Sequence, residues 1–332
     1  MRAPPTLLLT QRDVARLVDV PMTIRVVRRA FEAMARGDTV MPSKVYLPLP
    51  GGSDFRAMPA FVRQPPACGM KWVNVHPRNR ARGLPTVMAV IVINDPATGV
   101  PIAVMDGLLI TKLRTAASGA VAAQALARPD SASVGLIGCG AQADAQVDAL
   151  AAVFRLTRVR VWGYLAGEAR RFCQRMRRRL PGIVFEPCGN IERCVRDADI
   201  VVTLTPSRRP LVKRAWIANG THINAIGADA QGKQELDPGI LQQATVVVDE
   251  RDQAIHGGEL NVPVSRRQFH PRQIHASLGE ILTGRRAGRR SPRELTVFDS
   301  TGLAIHDVAV GAEIVRRARR LGVGRRIALL TS

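Results

Sequence analysis

Two short stretches hold residue types whose spacing suits chemistry. In "ACGMKWVNVHPRN", Ala67–Asn79, Lys71 stands between Met70 and Trp72 in a run that reads as a half-buried strand. Lysine is seldom buried without a partner, and when desolvated it is the basic side chain that loses its proton near neutral pH. Its use here stands out because 48 residues are basic, yet only Lys44, Lys71, Lys112, Lys213 and Lys233 are lysines. In "SVGLIGCGAQADAQ", Gly138, Gly140 and Ala143 form G-x-G-x-x-A directly after a predicted strand and before a predicted helix. Such a loop suits a dinucleotide. Gly138 makes the tight turn, Gly140 lets backbone approach a pyrophosphate, Ala143 allows close helix–sheet packing, and the helix N-terminus faces the phosphates. An ordinary α/β turn would use the same glycines, and Lys71 could equally be half of a structural ion pair with an acid such as Asp229.

The elements that must position these residues are legible from periodicity. Thr10–Asp13, "TQRD", is a helix start with an acid at its third position. The following helix carries Ile24, Val27, Phe31 and Met34 on one face and stops at Gly37. Then "KVYLPL", "FRAMPAFV", "CGMKWVNVH" and "TVMAVIVIND" read as strands, and "NDPATG" is a hairpin turn into "VPIAVMDG", which predicts an antiparallel sheet. After Gly107 an alanine-rich helix runs to Pro129, and strands alternate with helices from Ser133 onward, which predicts βαβ units and a parallel sheet. The last helix has Val308, Ile314 or Val315, Ala318 and Leu321 as its apolar stripe.

Composition excludes several classes. The 332 residues suffice for roughly two domains, and no apolar run nears the ~20 residues of a membrane helix. No secretory leader is evident at Met1, so a cytoplasmic location is expected, with no membrane partner. Five cysteines without a CxxC pair argue against a disulfide framework and a zinc site, so no metal is expected; Cys68, Cys173, Cys188 and Cys194 read as core residues. The net charge of +21 is scattered over every predicted helix with few aromatics for stacking, which argues against specific nucleic-acid binding. The densest run, "GRRAGRRSPRE" at Gly284–Glu294, reads as an exposed loop. After the second parallel strand, Gly163 and Tyr164 stand where an acid would select the ribose 2′-hydroxyl of NAD, and Arg170 and Arg171 follow. NAD or NADP is expected, with a slight lean to NADP.

Several motifs converge in order: "MPAFV", "GMKWVNVHPRN", "GLPTVMAVIVINDPATGVPIAVMDG", "ITKLRTAASGA", "GLIGCGAQA", "ADIVVTLTPS", "GTHINAIGADAQGKQELD" and "FDSTGLAIHD". Together they resemble the ornithine cyclodeaminase/mu-crystallin family, from about Met41 to Gly322. The resemblance implies a homodimer of α/β subunits. Each would have a Rossmann-type doubly wound parallel-sheet domain over 112–304 and an α+β substrate-binding and dimerisation domain with an antiparallel sheet over 1–111, completed by the C-terminal helix 305–332. Carried over by residue, it implies Lys71 and Asp229 as catalytic groups, and Lys44, Arg56, Lys71, Thr86 and Arg114 around the substrate. Thr115, Gly138, Gly140, Ala141, Gln142, Thr205, Asn224, Gly227, Ser300, Thr301 and Gly302 would touch the cofactor. Arg56 stands near where cyclodeaminases carry an acid for the substrate's distal ammonium, which disfavours a diamino acid unless another acid serves. The expected activity is therefore an amino-acid dehydrogenase or imine reductase of alanine-dehydrogenase type. Ornithine cyclodeamination is the alternative, and a mu-crystallin-like binding protein without turnover a second.

Overall fold

The computed structural model describes residues 4–330, and the chain divides into two compact units, Met1–Arg114 with Leu303–Ser332, and Thr115–Gly302. The first division falls inside one helix, Leu108–Leu126, between Arg114 and Thr115.

The first unit is an eight-stranded sheet in the order Arg325–Ile327, Thr6–Leu9, Pro101–Asp106, Val87–Asn94, Ala67–Val75, Ser53–Val62 and Thr39–Val40, with Val45–Leu49 also paired to Ser53–Val62. The hairpin-connected strands are antiparallel, as expected, but Thr6–Leu9 runs parallel to Pro101–Asp106, so the sheet is mixed. Two helices separate Thr6–Leu9 in sequence from the strands that follow, so no hairpin joins it to Pro101–Asp106 and nothing forces it to run antiparallel. Alternation sets the faces. Arg56, Met58, Ala60 and Val62 are buried on one strand, and Lys71 and Val73 on the next. Met58 pairs with Lys71 and Arg56 with Val73, which places both cationic side chains on the inner face.

Two helices meet over that face, Val20–Arg36 and Ala304–Leu321, through the contact of Phe31 with His306 at 4.4 Å. The first starts on Asp19, which accepts the Met22 N–H, and ends on Gly37 at φ 80°. Ile24, Val27 and Phe31 are buried, and Met34 is half-buried. On the second, Val308, Ile314, Val315 and Ala318 are buried, but Leu321, expected on this stripe, is 59% exposed because the helix terminates there on left-handed Gly322.

The second unit is a parallel sheet in the order Val184–Pro187, Arg158–Trp162, Ser133–Ile137, Ile200–Thr203, His222–Ala225, Thr296–Asp299, Thr245–Val248 and Ile274–Ser277. Strand order reverses beside Ser133–Ile137, so the crevice at a topological switch point opens at the glycine loop that follows this strand. Cys173, Cys188 and Cys194 are core residues, whereas Cys68, in the first unit, is only half-buried. The Gly284–Glu294 run is a loop, but Arg289 is tucked in, its Nε donating to Leu126 O at 2.7 Å. No helix of the described residues is long and apolar enough to cross a membrane.

Phe31→Ala removes a fully buried ring between the two covering helices. It should cost about 3–5 kcal/mol, read as a lower urea midpoint by circular dichroism.

Candidate active site

Lys71 is fully buried in mid-strand, opposite Ile91. Its Nζ lies 2.7 Å from Asp307 Oδ2, and Arg114 Nε lies 3.0 Å from Oδ1 of the same carboxylate. Asp307 sits in the first turn of the closing helix, one turn before Gly311. A Cβ at Gly311 would lie 2.9 Å from Ile93 Cδ1 and 3.4 Å from Ile91 Cγ2, so glycine there lets the helix approach the sheet at the level of Lys71. The acid that meets Lys71 is thus Asp307, not Asp229.

Burial pushes the Lys71 ammonium down from 10.5 to about 7, and the positive charges of Arg114 and Lys44 act in the same direction while Asp307 opposes them. For Asp307 burial acts to raise the pKa, but Arg114 and Lys71 outweigh it and keep the carboxyl below its ordinary value. Two basic groups share one acid in a site closed to water, which leaves the cluster with surplus positive charge, an arrangement that could hold an anion. His306 beside them is pushed down to about 3 by burial and then by Arg114, which leaves it neutral. Neither of its ring nitrogens has a hydrogen-bond partner among the described residues.

Lys44 lies just before the Val45–Leu49 strand, half-buried. Arg56 is nearly buried, held side-on by Asp54 through Nε–Oδ1 at 2.8 Å and Nη2–Oδ2 at 3.1 Å, with its guanidinium 5.1 Å over the Tyr46 ring. The fork-to-fork pairing engages both oxygens of Asp54. Thr86 precedes the Val87–Asn94 strand, and its carbonyl accepts the His76 N–H at 2.7 Å. The imidazole of His76 has a buried Nδ1 with no hydrogen-bond partner among the described residues.

In the second unit Gly138 adopts φ 99°, where a Cβ would meet Thr205 Cγ2 at 3.1 Å, and its N–H donates to Trp162 O at 2.9 Å. A Cβ on Gly140 would meet nothing within 4 Å, so the backbone there is open to approach. Ala141 is exposed, Ala143 is buried at the start of helix Ala143–Ala151, and the Gln142 side-chain oxygen is buried with no hydrogen-bond partner among the described residues. A tight left-handed turn, an open backbone and a helix N-terminus fit a pyrophosphate. Gly163 ends the second strand against Cys139, where a Cβ would lie 2.6 Å from Sγ, and Tyr164 is 84% exposed. Burial raises the Cys139 thiol, so it is not an activated nucleophile.

Thr205 and Gly227 follow adjacent strands and are bound by the Glu235 carboxylate. Asn224 is buried with its amide on His222 and Gly119 O, and Thr115 is buried on the long helix. The Ser300 N–H donates to Ala225 O, and the Thr301 and Gly302 N–H groups donate to Asp249 at 2.6 and 2.8 Å. Asp229 is ion-paired with Lys233. Among the described residues no group of three or more His, Cys, Asp or Glu is placed to hold a metal ion.

Sequence reasoning missed Asp307, Glu235 and Asp249. The signal for Asp307 was an acid on the apolar stripe, four residues before Gly311 and seven before Ile314; Glu235 lies inside the three-residue strand Gln234–Leu236 and Asp249 follows Thr245–Val248, with no periodicity to betray either.

The sequence profile of the ornithine cyclodeaminase/mu-crystallin family matches residues 5–320. The chain belongs to that family. Among its members, an alanine dehydrogenase of Archaeoglobus fulgidus is 46% identical over 322 residues, covering 97% of this chain and 98% of the relative. The structure of an archaeal alanine dehydrogenase dimer with bound NAD superposes with a TM-score of 0.94 at 46% identity, covering 98% and 99% of the two chains. A Δ1-pyrroline-2-carboxylate reductase of Thermococcus litoralis, in complex with NADH and L-proline, gives 0.94 at 33% identity over 97% and 100%.

Asp307→Asn strands two buried cations and should cost about 3–5 kcal/mol at neutral pH. Thermal unfolding of Asp307→Asn with Lys71→Met should recover part of that loss, since the double change removes one of the cations.

Proposed function

We propose that this protein is an NAD(P)-dependent oxidoreductase acting at the Cα of a small amino acid, or of its 2-oxo or imino counterpart, in the manner of an alanine dehydrogenase. The observation that carries the reading is the buried Lys71–Asp307–Arg114 cluster, an anion seat that includes a lysine poised to exchange a proton near neutral pH. The alanine dehydrogenase and pyrroline-carboxylate reductase relatives support it.

A bound nicotinamide supplies or takes up hydride at the substrate carbon. The chain's own residues do the rest. Arg114, with Nε fixed by Asp307, presents its guanidinium to the substrate carboxylate, and the charge of Lys44 adds to the attraction. Lys71 accepts a proton from the substrate nitrogen during oxidation and returns one during reduction. Asp229, ion-paired with Lys233, is the base for water or ammonia. The glycine loop at Gly138–Ala143 receives the pyrophosphate. The second strand carries no acid to repel a 2′-phosphate, and Arg170 and Arg171 are exposed nearby, so NADPH and NADH should differ in affinity by less than about tenfold.

The outer face of the first unit's sheet supports a homodimer. Val45, Leu47, Trp72 and Val90 are 63%, 50%, 37% and 45% exposed, and Phe55 stacks on Trp72 at 5.2 Å. So apolar a surface favours burial against a second copy, and the archaeal relative's structure is a dimer. Val90→Arg should shift the mass measured by light scattering from dimer to monomer.

Incubation with NADH or NADPH, ammonia and a panel of 2-oxo acids should oxidise the cofactor. Ornithine yielding proline and ammonia without net cofactor change would replace this reading by cyclodeamination, and ligand binding without turnover would replace it by a binding protein. Lys71→Ala should abolish turnover and leave cofactor affinity largely intact. Amino-acid oxidation needs the neutral amine, so kcat/KM should rise as pH passes up through about 7 and the reductive rate should fall over the same range.

A further inference from the structure

Four carboxylates of the second unit are fully buried: Glu235, Asp249, Glu259 and Asp299. The chemistry proposed above uses neither Glu235 nor Glu259. Asp299 accepts the N–H groups of Glu259 and Leu260 at 3.0 and 3.1 Å. Glu259 accepts those of Glu235 and Leu236 at 2.9 and 2.6 Å. Glu235 faces the carboxyl edge of the sheet. Its Oε1 accepts the N–H and the hydroxyl of Thr205, both at 2.7 Å, and its Oε2 accepts the Gly227 N–H at 3.0 Å. Thr205 follows strand Ile200–Thr203 and Gly227 follows its neighbour His222–Ala225, so one side chain fastens together the loops that leave two adjacent strands. The joint has no slack: a Cβ on Gly227 would lie 2.3 Å from Thr205 O and 2.4 Å from Glu235 Oε2. Thr205 in turn backs Gly138, so the three loops at the mouth of the crevice touch in series.

We infer that Glu235 is the positioning residue of the dinucleotide site, and that cofactor binding is coupled to its ionisation. The inference rests on the nucleotide reading above. A carboxylate offers lone pairs on both oxygens to its three donors, whereas protonation turns one oxygen into a donor facing an N–H or O–H and opens the clamp. Burial pushes Glu235 up to about 7, against the pull of its bonds to Thr205 and Gly227. Burial, and then the charge of Glu235, push Glu259 upward from the carboxylate range, while the Glu235 N–H reaches both of its oxygens, at 2.9 and 3.0 Å. Asp299 faces this pair from behind Glu259, and on the same segment Lys233 is turned to Asp229. A ligand that needs both loops in place prefers the ionised form. Binding therefore releases a proton near neutral pH, and affinity falls as pH drops through about 7.

The test is calorimetric titration of the full chain with NADH, which lacks the 2′-phosphate that would itself titrate in this range. Runs in two buffers of different ionisation heat count the protons released. The unaltered protein should release part of a proton at about pH 7 and lose about tenfold in affinity between about pH 8 and about pH 6. Glu235→Gln should abolish both effects and bind more weakly at the upper pH. Thr205→Val, which deletes one donor to Glu235, should move the affinity loss to higher pH, and it serves if the Gln variant does not fold. Flat affinity without proton release in the unaltered protein overturns the inference, and so does persistence of both in Glu235→Gln, which would assign the proton to another group such as Lys71. Failure of the unaltered protein to bind NADH at any pH overturns the nucleotide reading itself.

Discussion

One carboxylate shared by two cations, Asp307 between Lys71 and Arg114, is the constraint on which the first unit depends. Removing three charges from water is costly, and only mutual attraction at near-contact distance makes the burial tolerable. The closing helix must therefore lie close enough to the sheet to bring Asp307 over Lys71, which is what Gly311 allows. The same economy of charge leaves Lys71 able to titrate near neutrality. A fully neutralised cluster would hold the fold equally well, but the chemistry proposed for Lys71 and Arg114 needs the surplus positive charge left here.

The second unit solves a different problem by similar means. A parallel sheet ends in loops whose backbone N–H groups need acceptors, and here buried carboxylates supply them: Asp249 for Thr301 and Gly302, Asp299 for Glu259 and Leu260, Glu235 for Thr205 and Gly227. Loops tied in this way are fixed before any ligand arrives, which reduces the ordering cost of binding.

Much of this was readable from residue order because the signals were local. The strand containing Lys71, the G-x-G-x-x-A turn with its left-handed Gly138, the capping box at Thr10–Asp13 and the alternation of strands and helices each express a short-range rule that the structure obeys. What escaped was non-local. Asp307 lies 236 positions after Lys71 by subtraction of their numbers, and no spacing rule links them. The direction of Thr6–Leu9 and the exposure of Leu321 also depended on distant packing and on where a helix stops. Asp54 shows the same limit at short range: two residues from Arg56 on one strand, it was unremarkable until the side chains were seen to lock edge to edge.

The contact of Gly163 with Cys139 bears on how this protein would be re-engineered. The end of the second strand is where designers install an aspartate to enforce a diphosphopyridine over its phosphorylated cousin. Here the sulfur of Cys139 fills that volume, and even a methyl group would collide with it. A swap of coenzyme preference must therefore begin by trimming residue 139 and only then add the acid, because the reverse order displaces the very loop it is meant to tune.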